Sequence, residues 1–514
     1  MFFLSALHVV DLGSLFSGLQ VRGLAIGNDK NTINQFFYRF LRVMKGETAT
    51  LALPVYDRLD LEARNSFNQI AKEAVLNYAY SQSLLQNAGL DWVRNIFYNL
   101  AVNLSTPSLN GLQGQLKGYP AIIVGAGPSL EEDIEVLKRM KHHAFIIAAG
   151  TSIQSLMHYG VEPHLIVTID GGMPNYHAFS HLKLDDIPIL YTPQVQHHIV
   201  ENRTKNTIHS FLANDMITQV LMAVTQDEAV FASTHSVTGT AIQAAIFMGC
   251  EHIVFAGQDL SYPTEVVYAS GAKHVDPGYA ARIRQSADIQ VDNVQGGKNQ
   301  TTESMLLTLR DIEDLLSKHS NVRFTNTSSL GAQIQHAGFM PLNQIEEKLQ
   351  ANKLETTFFK ELMQQHLFSY PELRINQSID RINEMLGMLK LTKQRLDRIQ
   401  KSLTKLSELS RSNPLKCLNL MVGIEEEWEP VVKSIVFHTL FMFGLKAEIN
   451  AFDRHVSDIA EEKNTIRKAK LFKQVLEPLV VAMQGKIPVF EQIIAEAARR
   501  IDSRLERTGS GVTQ

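Results

Sequence analysis

Short apolar runs alternate with helical patterns through the middle of the chain, between Tyr119 and about Leu342. The runs are continuous and rich in β-branched residues, and each ends in Gly, Asp, Pro or Thr, which is typical of parallel strands buried on both faces. They are "PAIIVGAG", "HAFIIAAG", "HLIVTID", "IPILYTP", "HIVFAG" and "VRFTNT". The pattern predicts an α/β fold with a Rossmann-like, doubly wound sheet, whose ligand lies beyond the carboxyl ends of the strands.

The two ends of the chain follow other patterns. Residues 1–115 mix the short apolar runs "LQVRGLAIG" and "TATLALPVY" with amphipathic helical segments, which predicts a smaller α/β N-terminal domain. After "MPL" at 340–342 the helical period continues to about residue 505, which predicts an all-α C-terminal domain. We therefore expect an N-terminal domain at 1–115, a central domain with the sheet at 116–343, a helical bundle at 344–505 and a disordered tail at 506–514.

One long helical segment carries a heptad-like seam. Its apolar positions follow the 3,4 spacing of helices that pack along their length, and Thr392 fills one of them. The seam consists of Ile382, Met385, Leu389, Leu396, Ile399, Leu403 and Leu406. Two further helices are predicted at "NTIRKAKLFKQVLEPLVVAM" and "IPVFEQIIAEAARRIDSRL".

Composition excludes several classes of protein. With 514 residues the chain is too long for a single ordinary core, and a net charge of -4 gives no bulk attraction to nucleic acid. Cys250 and Cys417 are far apart and lack zinc-ligand spacing, so we expect a cytoplasmic protein without disulfides. No apolar stretch reaches the roughly 20 residues that span a bilayer.

The stretch "AIIVGAGPSL" turns from a strand into a helix. Gly125 and Gly127 allow a tight turn, Pro128 suits the first helical turn, and Ser129 can cap it. Amide hydrogens and the helix dipole at such a turn favour an anion, for which one phosphate is the economical choice. The alternative, equally weighted, is that the glycines only close the strand-to-helix turn.

Differences from known nucleotide-binding signatures reduce the number of possible ligands. Leu130 stands where the dinucleotide fingerprint has its third glycine, and the next strand ends in Ala-Gly150-Thr151 and not in an acidic residue. No lysine follows Gly127 within the turn, as a Walker A loop requires. NAD and hydrolysis of a nucleoside triphosphate are therefore disfavoured.

Other strand ends add polar residues to the same edge. Asp170 can bind ribose hydroxyls, a base or a metal, although helix capping is its alternative use. A later strand ends in Gly257, Gln258 and Asp259. A helix is predicted to begin near Thr238 and Gly239, and these residues could either cap the helix or contact a phosphate. Because no Asp-x-Asp pair closes these strands, we predict no metal ligands.

His274 lies in "ASGAKHVDPG", a segment expected to form a loop over the cleft. A loop histidine can accept a proton from an acceptor hydroxyl. Since the chain has 18 histidines, an exposed surface histidine without a catalytic role is the alternative.

Taken in order, four motifs resemble the motility accessory factor (Maf) family of flagellin glycosyltransferases: "AIIVGAGPSL", "AAGTSIQSLMHYGVEPHLIVTID", "AGQDLSY" and "NTSSLGAQIQHAGFMPL". The core of that family is a domain related to the archaeal 6-hydroxymethylpterin diphosphokinase, MptE-like. Upstream, "LPVYDRLDLEARNSFNQIAKEAVLNY" and "LDWVRNIFYNL" look like the leading domain of the family. The resemblance covers roughly the first two thirds of the chain.

The resemblance implies a sialyltransferase-like core and a reaction. The reaction is transfer of pseudaminic or legionaminic acid from a CMP-activated donor to Ser or Thr hydroxyls of flagellin, for flagellar assembly and motility. The nucleotide would be held at Gly125–Leu130 and Gly150-Thr151, with further donor contacts from Asp170, Thr238, Gly239, Gly257 and Gln258. The base would be Asp259 or His274. No other cofactor is predicted, and the metal requirement and the oligomeric state stay open.

Two alternatives remain. One is a pterin diphosphokinase, which needs ATP and Mg²⁺. The other is a flagellin-binding factor without catalytic activity. The C-terminal helices are expected either to recognise flagellin, helix against helix, or to serve simple packing or self-association.

Overall fold

The structure, a computed structural model, describes residues 3–4, 25–26, 29–44, 54–273, 277–350, 353–409 and 413–509. The chain forms two compact units, and each combines separate stretches of sequence. The first contains Met1–Leu90 and Gly387–Phe490, and the second contains Asp91–Leu386 and Glu491–Gln514. The predicted division at residues 115, 343 and 505 runs in sequence order and stays a prediction.

The first unit is mostly helical in its described residues. A parallel pair of short strands, β1 (Phe3–Leu4) and β2 (Ala25–Ile26), precedes the helices α1 (Lys30–Val43), α2 (Pro54–Leu59) and α3 (Leu61–Ser105). Helix α3 belongs to this unit up to Leu90 and to the second unit from Asp91 onwards. Ile33, Phe37 and Leu41 are spaced by four along α1 and join residues of α3 in one buried cluster. The run "TATLALPVY" was predicted as a strand, but its last three residues begin α2, because Pro fits the first turn of a helix.

The C-terminal helices confirm the helical character predicted for this part of the chain. They are α13 (Glu372–Leu409), α14 (Pro414–Lys433), a π-helical turn at Phe437–Phe441, α15 (Met442–Gly444), α16 (Lys446–Glu461) and α17 (Thr465–Gly509). Every residue of the predicted seam on α13 is buried, Thr392 included. The 3,4 spacing therefore identified the packed face of this helix correctly.

The prediction of two separate helices near the C-terminus was wrong. A single helix, α17, runs through both Pro478 and Pro488 and continues to Gly509, past the predicted start of the tail. Proline removes one backbone hydrogen bond, yet the apolar residues around both prolines, such as Val480 and Ile487, are fully buried. Tertiary packing thus outweighs the local cost.

The second unit is built on one parallel sheet of eight strands, in the order β14-β13-β10-β3-β4-β5-β6-β7. The strands are β3 (Ala121–Val124), β4 (Phe145–Ala149), β5 (Leu165–Thr168), β6 (Ile189–Tyr191), β7 (Thr207–His209), β10 (His252–Ala256), β13 (Arg323–Asn326) and β14 (Ala337–Phe339). The chain first builds the sheet from β3 towards β7 and then returns to the other side of β3. The strand order therefore reverses between β3 and β10, which is where such sheets bind ligands.

Helices cover both faces of the sheet, as predicted for a doubly wound fold. The helices of this part of the chain are α4 (Leu130–Met140), α5 (Ser152–His158), α6 (Met173–Phe179), α7 (Met216–Met222), α8 (Val237–Phe247), α9 (Pro277–Gln285), α10 (Glu303–Ser317), α11 (Leu342–Leu349) and α12 (Phe358–His366), and all of them except α7 and α9 contribute to the two cores on the sheet. Along β3, Ile122 packs with α4 and α11, whereas Ile123 packs with α8 and α10. Alternate residues of a strand point to opposite faces, so the continuous apolar runs reflect two cores.

The sequence predicted the six strands that carry long apolar runs and missed the smaller ones. The missed strands are the edge strands β7 and β14, the pair β8 (Phe211–Leu212) and β9 (Val230–Phe231), and the hairpin β11 (Ile289–Asp292) and β12 (Lys298–Thr301). They are only two to four residues long, which is too short for a periodicity to emerge. Among the described residues, none of the helices has the length and apolar character needed to cross a membrane.

Candidate functional site

The glycine turn joins β3 to α4 and lies against the end of β10. A Cβ atom on Gly125 would lie 2.5 Å from the carbonyl oxygen of Gly257, and one on Gly127 would lie 2.4 Å from Asp259 Oδ2. Real Cβ atoms do not approach so closely, so only glycine fits at both positions. Both glycines are thus required by the close approach of the ends of β3 and β10, without any contribution from a ligand.

The N-terminus of α4 already binds a carboxyl group of the protein itself, that of Asp259. Asp259 Oδ2 accepts a hydrogen bond from the Ser129 amide at 2.9 Å, and Ser129 Oγ donates to Ser328 Oγ at 3.0 Å. The Gly127 amide donates to the Gly257 carbonyl at 2.9 Å. Asp259 therefore occupies the place where a phosphate was expected, and the geometry favours the alternative in which this turn is structural.

Asp259 is itself only 3% exposed, and burial raises the pKa of its carboxyl group. Its Oδ1 has no hydrogen-bond partner among the described residues. Asp133, on the first turn of α4, is a second buried carboxyl group, and burial raises its pKa to about 7. Thr327 Oγ1 contacts Asp133 Oδ2 and also lies 3.1 Å from the Phe255 carbonyl. The carboxyl groups of Asp133 and Asp259 thus contact residues next to the ends of β3, β10 and β13.

A second turn, at the end of β4, lies against the start of α8. Gly150 has a positive φ of 57°, and a Cβ atom there would lie 2.9 Å from Val237 Cγ1. Gln258 Nε2 donates to Thr238 Oγ1 at 3.0 Å, which ties the end of β10 to the same helix. The structure therefore brings together five predicted donor-binding residues, which are Gly150, Thr151, Thr238, Gly239 and Gln258.

Polar groups at this second turn lack partners among the described residues. The side chain of Ser236, the N-cap residue of α8, makes no capping bond, and its Oγ is buried without a partner. Ser152 Oγ at the start of α5 and Thr240 Oγ1 in α8 are also buried and unpartnered. Hydroxyl groups and the uncapped first turn of α8 can donate to an oxyanion. Within the described residues, several hydroxyl groups without partners thus lie at or near this second turn.

Asp170 follows β5 and is exposed to solvent, while the surrounding protein raises the pKa of its carboxyl group. Asp170 is accessible to solvent and yet has enough protein around it to raise its pKa, as expected for a residue in a concave surface. None of the described residues donates to its carboxylate. Gly171 follows it because a Cβ there would lie 2.7 Å from the Gln194 carbonyl. Asp170 is thus available to a ligand.

A row of buried asparagines on α3 supports this edge of the sheet, and the sequence analysis missed it. Asn95 Nδ2 donates to the Gly171 carbonyl at 2.9 Å, and Asn99 Nδ2 donates to the carbonyls of Pro193 and Val195 at 2.9 and 2.7 Å. Asn103 Oδ1 accepts from the Tyr191 hydroxyl at 2.6 Å. The signal was the spacing of three asparagines by four in the largely apolar last part of this helix, which places them on one face.

His274 lies outside the described residues, and its predicted role stays a prediction. The residues just before it do lie over the two turns. The Ala269 amide donates to the Ala126 carbonyl at 2.9 Å, and the Lys273 amide donates to Gln154 Oε1 at 3.2 Å. The segment that leads to His274 therefore contacts the glycine turn and the helix after β4, as expected for a loop over the cleft.

Comparisons with known proteins agree with this architecture. A model of the family described as 6-hydroxymethylpterin diphosphokinase MptE-like matches residues 94–265. The chain contains an MptE-like domain. The match begins within α3 and ends beyond β10, so the MptE-like domain includes the asparagine row, both turns and Asp170.

Almost the whole chain shares its fold with a solved glycosyltransferase structure. It resembles the structure of MAf glycosyltransferase from Magnetospirillum magneticum AMB-1 with a TM-score of 0.59 and 15% sequence identity. The likeness covers 93% of this chain and 73% of that chain. It confirms the resemblance stated from the motifs, and at this identity it shows a shared fold.

A relative of undescribed function matches a shorter segment. An uncharacterized protein of Treponema pallidum (strain Nichols) is 33% identical over 90 residues, which is 17% of this chain. The match spans 40% of the length of that relative.

Proposed function

We propose that the protein is a glycosyltransferase that moves a nonulosonic acid, pseudaminic or legionaminic acid, from a CMP-activated donor to Ser or Thr hydroxyls of flagellin in the cytoplasm. The likeness of almost the whole chain to a MAf glycosyltransferase carries this proposal. The free donors beside Gly150 and the free carboxylate of Asp170 support it, because a CMP-activated sugar offers one phosphate and several hydroxyl groups.

The donor phosphate would lie at the start of α8. Ser236, Thr238 and Ser152 contribute hydroxyl groups there, and the amides of the first turn of α8 add further donors. Asp170 would accept hydrogen bonds from hydroxyls of the ribose or the sugar. Donors fixed by the fold stabilise charge that develops on the departing phosphate without reorganising.

Transfer would be a direct displacement. The acceptor oxygen bonds to the anomeric carbon, the bond from that carbon to the phosphate oxygen breaks, and CMP leaves with the electron pair. The acceptor proton passes to a base. We assign this role to His274 and not to Asp259, because Asp259 is buried and accepts the Ser129 amide.

Titration calorimetry with CMP tests the donor site. We expect metal-independent binding that Asp170→Ala and Thr238→Val each weaken by at least about tenfold, the loss expected for one or two charge-assisted hydrogen bonds. Ser129→Ala is the matched control and should bind like the unchanged protein, because Ser129 Oγ faces Ser328. If only Ser129→Ala lost CMP binding, the donor site would be the turn at Gly125 and not the start of α8.

Mass spectrometry tests transfer. Flagellin coexpressed with this protein and a CMP-nonulosonate pathway should gain mass on Ser or Thr, and His274→Ala should abolish the gain while sparing CMP binding. Unmodified but soluble flagellin would instead support a binding factor without catalytic activity.

The family match also favours one other enzyme. A pterin diphosphokinase, suggested by the description of the family, would bind ATP with Mg²⁺ in preference to CMP. The same calorimetric titration, repeated with ATP and Mg²⁺, decides between the two enzymes.

A further inference from the structure

Two adjacent histidines and a glutamate cluster after β6, outside the donor site described above. His197 and His198 open a 3-10 helix, and Glu201 follows it closely. One ligand atom from each of the three residues lies within 4.8 Å of the others. The two imidazole rings have centroids 4.1 Å apart. Three side chains from one short segment thus converge on a single point.

The asparagine row orients the first histidine. Asn95 Oδ1 lies 2.9 Å from His197 Nδ1, and Asn95 Nδ2 donates to the Gly171 and Gln194 carbonyls, so the orientation of the amide is fixed. An amide oxygen only accepts, so Nδ1 of His197 carries the proton and Nε2 keeps its lone pair. Metal-binding histidines are held in this way, with one ring nitrogen donating to an oxygen and the other free to ligate.

The glutamate is held from its far side. Glu201 Oε1 lies 2.7 Å from His198 Nδ1, while Glu201 Oε2 accepts from Arg500 Nη1 at 2.9 Å. Arg500 lies over the ring of Tyr98, 4.3 Å from its centroid. Arg500 therefore fixes the carboxylate through one oxygen, while the other faces His198 Nδ1, a contact that a bound metal ion would replace.

We propose that His197, His198 and Glu201 bind one divalent transition-metal ion of the zinc class through two imidazole nitrogens and one carboxylate oxygen. Imidazole ligands suit Zn²⁺ and Co²⁺, whereas Mg²⁺ and Ca²⁺ take oxygen ligands. Three protein ligands leave a fourth position of a tetrahedral ion open to water or to a ligand oxygen.

The metal site lies close in the fold to Asp170 of the proposed donor site. The Gln196 amide donates to the Asp170 carbonyl at 3.1 Å, so the segment that carries the histidines is bonded to the end of β5. Metal binding does not depend on the proposed transfer reaction, and the test uses the metal alone.

The full chain is first freed of metal with a chelator and then titrated with Zn²⁺ in a calorimeter and with Co²⁺ in a spectrophotometer. We expect one ion per chain and a Co²⁺ absorption spectrum of a four-coordinate site. His198→Ala and Glu201→Gln should each weaken binding by more than about tenfold, since each loses one of three ligands. His198 is exposed, so its replacement leaves the core intact.

His455→Gln is the matched control, because His455 Nδ1 pairs with Asp458 Oδ2 at 3.0 Å with the same i,i+3 spacing. This pair is not part of a three-residue cluster among the described residues. It should bind Zn²⁺ like the unchanged protein. No binding at one ion per chain, or equal affinity in His198→Ala and Glu201→Gln, would overturn the proposal.

Discussion

Two carboxyl groups, those of Asp133 and Asp259, lie buried where β3 and β10 end. Burial raises the pKa of both, and for Asp133 the raised value is about 7. The Thr327 hydroxyl has one proton but contacts both Asp133 and the Phe255 carbonyl. The hydrogen bond that the Thr327 hydroxyl donates to Asp133 lowers the pKa of this carboxyl group, but burial has the larger effect. Burial therefore favours the neutral form of Asp133.

Asp133→Asn is expected to stabilise the protein at alkaline pH. The folded pKa of about 7 lies above the ordinary value of 3.8, so folding binds a proton between these values and stability falls as the pH rises through this window. An amide cannot ionise, and its oxygen can still accept the hydrogen bond from Thr327. Urea unfolding should show the variant more stable than the unchanged protein at pH 8, with a gain that shrinks towards pH 4.

The control for this prediction is Asp227→Asn, which removes a negative charge from an exposed side chain. A gain of Asp133→Asn that stays the same from pH 4 to pH 8 would contradict the role given to burial.

Sequence alone located the glycine turns but not the reason for them. Gly-x-Gly is a local signal, so Gly125 and Gly127 were recognised at once. Their partner Asp259 lies far along the chain, and no local pattern shows that its carboxylate fills the helix N-terminus. Sequence alone also could not show that the carboxylate of Asp170 is free to bind a ligand, because this depends on residues from other parts of the chain.

At the scale of elements, the last part of α3 supports the ends of β5 and β6. Asn99 lies at the centre of the asparagine row and is fully buried. Its two bonds to the carbonyls of Pro193 and Val195 fix the segment that leads to the histidine cluster. The helix therefore positions a loop through polar contacts inside an apolar surface.

Asn99→Ala should destabilise the protein by roughly 2 kcal/mol, because it leaves two buried carbonyl groups without donors. Hydrogen exchange should also quicken in residues 192–199. Asn87→Ala on the same helix is the control, since Asn87 is exposed and bonds only to Ser83 at 3.4 Å. Equal effects of the two changes would show that the buried carbonyl bonds contribute nothing.

Strands with long apolar runs were predictable because burial on both faces leaves a strong composition signal. The edge strands were not, since β14 contains Gly338 and is largely exposed. The π-helical turn and the continuity of α17 were also beyond reach, because the packing that sustains them joins residues far apart in sequence.

At the scale of the whole molecule, the last segment of the chain belongs to the second unit. Arg504 donates to the carbonyls of Glu201 and Arg203 at 2.9 and 2.7 Å, and Arg500 pairs with Glu201. Sequence patterns are local and could not show that 491–514 returns to the unit that contains the sheet. Deleting the predicted helical bundle at 344–505 would therefore damage the proposed catalytic unit as well.

A chain shortened to end at residue 490 should lose these contacts. We expect a lower melting temperature and faster hydrogen exchange around residues 201–203, measured by calorimetry and mass spectrometry. A chain that ends at Gly509 keeps every described contact and serves as the control. Unchanged exchange in the shorter chain would show that 491–509 does not stabilise this unit.

The assembly of each unit from two distant stretches also governs when the protein can fold during synthesis. Domains usually fold as they leave the ribosome, N-terminal part first. Here the first unit needs residues up to 490, and the second needs residues beyond them. Neither can close while most of the chain is still being translated. Helices α1 and α3 can bury their shared apolar cluster early, but the first unit stays incomplete until Gly387–Phe490 has been made, and the second until Glu491 and the residues after it have followed.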